Sequence, residues 1–184
     1  MVNKAILTCL SGFIILSCGD DHIRTYTLPK QIQSQSEMDL PENVESPEPQ
    51  LAWTKPNSWQ PSEGSSMRLA SFDFPYKSDL GDISLIQLGG DGGGIAANIN
   101  RWRTQLGLQP VIASLIENEI SRINGQLGEY IFTHIRNEDS GQAFLCAIIP
   151  SGGVTFFVKM SSTTETAAAG EADFKSFCSS LHFK

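Results

Sequence analysis

The residues with chemical reach are few, and one stretch holds most of them. Gly89-Gly90-Asp91-Gly92-Gly93-Gly94 leads into Ile95-Ala96-Ala97. From Gly92 onward the letters match a dinucleotide-binding turn with alanine in the last place, between a predicted strand and a predicted helix. Amides at a helix N-terminus can hold an anion. Against a nucleotide, a second helix follows where a βαβ unit needs a strand, and Asp91 would repel a phosphate. The 89–94 loop is therefore expected to be a permissive turn that lets the helix lie close to a sheet. Along that helix Asn98, Arg101 and Gln105 fall at i, i+3 and i+7, with Asn100 and Arg103 at other exposed positions. Amides and guanidinium groups can fork onto a carboxylate, a sugar or a peptide backbone. The same groups can instead tie the helix to nearby carbonyls. Gly92, Gly93, Gly94, Asn98, Asn100, Arg101, Arg103 and Gln105 form the candidate partner- or ligand-facing surface.

Other reactive groups are dispersed. Glu117 and Glu119 are two apart and point in different directions on a helix. Asp79 and Asp82 lie near a turn, and Glu138-Asp139 reads as a hairpin tip. His22, His134 and His182 share no metal-ligand spacing with one another or with cysteine. There is no Gly-x-Ser-x-Gly elbow. No catalytic residue, metal ligand or cofactor is expected. Cys146 falls in a strand and Cys178 on the core face of the last helix. A disulfide between them is left open beside the alternative of two buried free thiols.

The N-terminus carries a different kind of chemistry. Lys4 precedes an apolar stretch over residues 5–16, followed by Ser17 and Cys18. The stretch is too short to span a bilayer and has the length of a signal-peptide apolar region. Ile15-Leu16-Ser17-Cys18 resembles a bacterial lipobox. That resemblance implies cleavage before Cys18, a diacylglycerol on its thiol and an acylated amine. Two or three buried chains, at about 0.8 kcal/mol per methylene, give stable anchoring where one chain is marginal.

These groups need elements to position them. The chain has 184 residues, of which 40% are hydrophobic and 18% charged. That is enough for one ordinary core and excludes full disorder. Net charge is −7, so a nucleic-acid partner held by phosphate neutralisation is not expected. Residues 19–50 hold 2 bases and 7 acids, with Pro41, Pro47 and Pro49. The 18–50 segment is expected to be a disordered acidic tether with a reach of about 30 Å. The globular part is expected over 51–184. An edge strand is predicted near residues 51–54, and alternation predicts strands over 67–74 and 82–88. Ile95, Ile99, Trp102 and Leu106 predict a helix over 95–106, ended by Gly107. A second helix is predicted over 111–120, opened by Pro110 with Val111, Leu115, Ile112 and Ile116 inward. Beyond an Asn124-Gly125 turn come strands over 130–135, 142–149 and 154–160, then a helix over 166–181. The order predicts an α+β domain, an antiparallel sheet of about five strands with helices packed on it.

Three segments together carry a resemblance. They are Trp53-x-x-Pro56-x-x-Trp59, Met67-Arg68-x-Ala70-x-Phe72, and the glycine loop leading to Asn98-Ile99-Asn100-Arg101-Trp102-Arg103. The chain resembles a group of bacterial lipoproteins with a Gly-Asp-Gly-Gly-Gly loop followed by Asn-x-Asn-Arg-Trp-Arg. Its element order is similar to the PsbP-like fold, whose members act mainly by binding partners. The resemblance implies a membrane-anchored extracytoplasmic lipoprotein acting as a non-catalytic binding or envelope-structural module, with a protein or envelope partner. The alternative is a small extracytoplasmic hydrolase or ligand-binding enzyme accessory using the 89–94 loop and the helix after it.

Overall fold

Three consecutive strands carry buried residues on both faces, and this organises the molecule. The computed structural model describes residues 50–184; the 1–17 segment, Cys18, His22 and the stretch to residue 49 lie outside the described residues. β6 (Gly128–Asn137), β7 (Gln142–Ser151) and β8 (Val154–Thr163) form a meander. On β7, Ala143, Leu145, Ala147 and Ile149 face one core while Cys146 and Ile148 face another. A strand buried on both sides needs a cover on both sides, and its sequence reads as a continuous apolar run.

One cover is α3 (Thr164–Ser180), which lays Ala167, Phe174, Phe177 and Cys178 on β7 and β8. Gly170 lets it approach, since a Cβ there would stand 2.9 Å from Phe74 and 3.1 Å from Met160. The other cover is α1 (Ile95–Gln105) with α2 (Ala113–Glu119), contributing Ile99, Trp102 and Ile116. The start of α3 is fixed by Thr163, whose hydroxyl caps the Thr166 amide at 3.3 Å. Asp79 in turn accepts from the Thr163 amide and hydroxyl at 3.1 and 2.8 Å. Hydroxyl and amide donors of Thr166 and Thr163 hold the Asp79 carboxyl down at about 2.

The main sheet is wholly antiparallel in the order β2-β3-β4-β8-β7-β6-β5, with β2 (Gln60–Pro61), β3 (Arg68–Tyr76), β4 (Asp79–Gly89) and β5 (Ile120–Gly125). It has seven strands where about five were expected. The α+β class and all five expected strands are present, and β2 and β5 are additional. β5 begins where the second helix was expected to end. That helix is shorter than its 111–120 prediction, and only Ile116 of its apolar residues is buried, Ile112 and Leu115 being exposed. The turn after β5 is also displaced: Gly125 pairs with Gly128 around Gln126 and Leu127. The expected edge strand near 51–54 is β1 (Leu51–Ala52), which pairs outside the main sheet with β9 (His182–Phe183). Trp53 and Trp59 then seat against Phe72 and Phe177, with Trp59 5.0 Å from Phe177.

Enlarging Gly170 tests the close approach of α3 to the sheet. Gly170→Val is expected to cost about 1–3 kcal/mol by overpacking against Phe74 and Met160, read as a lower urea midpoint with an unchanged slope.

Candidate functional site

The helix after the glycine loop is attached by the side chains that were singled out as a surface. Asn98 is buried, and its amide donates to the carbonyls of Gly92 at 3.0 Å and Gly94 at 2.7 Å. Arg101 donates to the Asn98 Oδ1 at 2.6 Å. Asn100 pairs with the Val111 backbone in both directions, donating to its carbonyl at 2.9 Å and accepting from its amide at 2.8 Å. It thereby imitates a strand neighbour for the chain between α1 and α2. Arg103 holds the Gln109 carbonyl at 3.0 Å and Glu119 at 3.1 Å. Gln105 accepts from Lys159 at 3.2 Å. The loop, the helix flank and the following connection are thus one interlocked unit. Asn98, Asn100 and Arg103 act as internal ties, and Arg101 and Gln105 remain exposed.

The glycine loop is shaped for packing. Gly90, Gly92, Gly93 and Gly94 all have positive φ. A Cβ on Gly92 would stand 2.5 Å from the Phe157 ring, so the loop lies directly on the core. The Gly93 amide, which a bound anion would need, already donates to the Asp91 carboxylate at 2.9 Å. The loop's own carboxylate takes the place a phosphate would occupy. Beneath it is a hollow of about 320 Å³ lined by Ile95, Ile131, Ile148 and Pro150, with Asp91 as the one ionisable residue of its lining.

The disulfide left open between Cys146 and Cys178 does not form; both thiols are free and buried. The reason is the strand's alternation. Cys146 points to the α1 side of the sheet and Cys178 lies on α3 at the other side. Burial pushes both thiols far up, so neither is a nucleophile at neutral pH.

A cluster that the sequence did not bring together lies at the other end of β6. β5 pairs with β6 only as far as Ile120 opposite Thr133. Beside the uncovered residues is a polar recess of about 470 Å³. His134 Nδ1 lies 2.9 Å from Glu171 Oε2, and Lys175 donates to Glu171 Oε1 at 2.6 Å. Lys175 also sits 4.3 Å over the Phe132 ring. Arg103, Glu119, Arg136 and Glu138 complete the rim. Burial pushes the His134 imidazole below its ordinary value against the pull of Glu171. Burial alone would raise the Glu171 carboxyl, but hydrogen bonds from Lys175 and His134 bring it below the usual range. The consistent arrangement is a neutral imidazole donating through Nδ1–H to an ionised carboxylate. His134 Nε2 is buried without a partner. The i,i+4 spacing of Glu171 and Lys175 is visible in the sequence; their meeting with His134, on a strand 37 residues away, is not.

The fold and these sites define an α+β domain with a large antiparallel sheet covered by helices on both faces. No family model matches the chain, and no curated protein does. Among solved structures, the domain is similar to cyanobacterial PsbP from Synechocystis sp. PCC 6803 (TM-score 0.45, 12% identity, 73% of this chain and 92% of that one). It is similar to LpqN of Mycobacterium tuberculosis, described as involved in cell envelope biogenesis (TM-score 0.40, 13% identity, 77% and 87%). A Bacteroides thetaiotaomicron protein matches at TM-score 0.43 and 13% identity over 73% of this chain, which spans only 45% of that protein's length.

Two outcomes are expected. Asn98→Ala leaves two loop carbonyls without their donor and should lower stability by about 2 kcal/mol or more, whereas Arg101→Ala should cost well under half of that; chemical denaturation of both variants checks the order. Stability should also fall as pH drops below about 6.5, because the unfolded imidazole of His134 takes up a proton that the folded one refuses. Glu171, ionised in the fold to lower pH than in the unfolded chain, extends the same trend further into acid. Thermal unfolding from pH 7.5 to 5 should show the decline, and His134→Gln should flatten its upper part.

Proposed function

We propose that the chain is a lipoprotein of the bacterial envelope, tethered outside the cytoplasm through lipidated Cys18, and that its folded part is a non-catalytic binding or structural module. The Ile15-Leu16-Ser17-Cys18 sequence supports the anchor. The observation that carries the binding reading is the state of the polar recess beside β6. Its Glu171 carboxylate is already held by Lys175 and His134, and the basic nitrogen of His134 is turned inward and buried. General base catalysis needs a proton acceptor within reach of substrate, and the recess presents charged hydrogen-bonding groups instead. Arg136 and Glu138 on its rim are the more exposed pair, 3.8 Å apart. An extended protein segment with charges of both signs is the partner such a rim suits, because like-charged partners would meet repulsion from half of it.

The alternative, an enzyme or enzyme accessory built on the 89–94 loop, finds less support. The hollow there is mostly apolar, and Asp91 is engaged by the Gly93 amide.

Two measurements test the proposal. Cys18→Ser should abolish palmitate labelling and move the protein out of the membrane fraction; unchanged labelling or fractionation would remove the anchor. Affinity capture from solubilised membranes should recover a protein that is lost when Arg136 and Glu138 are exchanged by Arg136→Glu with Glu138→Lys. Equal recovery with the exchanged pair would remove the recess as the docking face.

A further inference from the structure

An apolar groove lies at the end of the domain where the N-terminal segment joins it. Between the β1/β9 ribbon and the ends of β4 and β8, a cleft of about 620 Å³ is lined by Leu51, Trp53, Leu69, Val154, Phe156 and Phe183, among others, and none of its lining residues is charged. The sequence builds it by a specific irregularity. The register of β3 on β4 shifts between Arg68 and Ala70, so Leu69 is the extra residue of a β-bulge. A bulge re-aims a side chain, and Leu69 is left 49% exposed against the cleft. Phe183 is 39% exposed, and its ring lies 6.1 Å from Phe156. Large apolar side chains in a contiguous, uncharged cleft mark a contact surface.

We infer that this groove docks on the bilayer that holds the anchor, taking up lipid acyl chains at the membrane surface. The inference rests on the lipid anchor proposed above and adds the place at which the folded part meets the membrane. What points to a bilayer is the chain's own path. Gln50 lines the groove, and 31 residues lie between it and Cys18. The tether expected from the sequence has a reach of about 30 Å at that length, which would keep this end of the domain close to the surface. Tethering turns docking into an intramolecular event with an effective concentration of order millimolar, so a contact of modest area suffices. The groove also has the composition of an interfacial anchor, with half-buried Trp53 and exposed Phe183 beside aliphatic Leu51 and Leu69. Charge does not assist. The described domain carries 10 bases and 13 acids and the 19–50 segment is more acidic still, so the contact depends on apolar burial and needs no anionic lipid.

The test uses the lipidated full-length protein in phosphatidylcholine vesicles with and without bromine on the acyl chains. Bromine quenches nearby indoles, and Trp53 is the tryptophan in the groove, while Trp59 and Trp102 are 1% and 4% exposed. Quenching of the wild type is expected, with no increase when anionic lipid is added, and Trp53→Phe should remove it. Leu69→Glu and Phe183→Glu should each abolish quenching while the protein still floats with the vesicles. Both positions are exposed, and matching near-ultraviolet circular dichroism shows that the variants fold. Absent quenching in floating wild-type protein, or quenching that survives both substitutions, overturns the inference. So does self-association through this face, seen as a doubled mass in detergent that Leu69→Glu reverses. Failure to float reports on the anchor instead, and it overturns both readings.

Discussion

Burial of both faces of β6, β7 and β8 is the constraint from which the rest follows. One apolar face is satisfied by α3, a long helix that needs only a glycine at its closest approach and a threonine cap at its start. The opposite face must be covered by α1, which has eleven residues, and α2, which has seven. Short helices bring little stability of their own. The side chains of Asn98, Asn100 and Arg103 supply what the helices lack, by bonding to backbone groups of the loops on either side. The polar segment between the glycine loop and Gly107 is therefore a set of fasteners for the second cover.

That arrangement explains what was legible in the sequence. The five long strands could be placed because alternation or a continuous apolar run survives in each. α1 and α3 could be placed from their stripes, and Gly107 from its position, since its positive φ ends α1 with Leu108 donating back to the Arg103 carbonyl at 2.9 Å. β5 was hidden because Ile120 and Ile123 are three apart, a helical spacing, and the strand follows α2 without an intervening loop. β2 has two residues and no pattern to read. The reading of α2 failed on burial: its position fits amphipathic periodicity, yet most of its apolar residues face water.

The candidate site divides in the same way. Sequence singled out the α1 flank and offered two roles for it; Asn98, Asn100 and Arg103 bond to loop backbone, while Arg101 and Gln105 stay exposed. The Cys146 and Cys178 question turned on which face of β7 the strand's parity assigns to position 146, which a continuous apolar run does not reveal. The recess at His134 was illegible for another reason. It depends on three side chains from a strand and a helix that meet only after the sheet is assembled, with one tight local pair, Glu171 and Lys175, as its sole trace.

The pairing of β1 with β9 has a temporal consequence. Leu51 finds its partner in Phe183, and Ala52 in His182, so the opening strand of the domain has nothing to pair with until residues 182 and 183 have been synthesised. Closure over so long an interval carries a large loop-entropy cost and comes late. A nascent chain emerging from the ribosome would keep this seam open until its far strand followed, so the domain cannot lock from its N-terminal side alone.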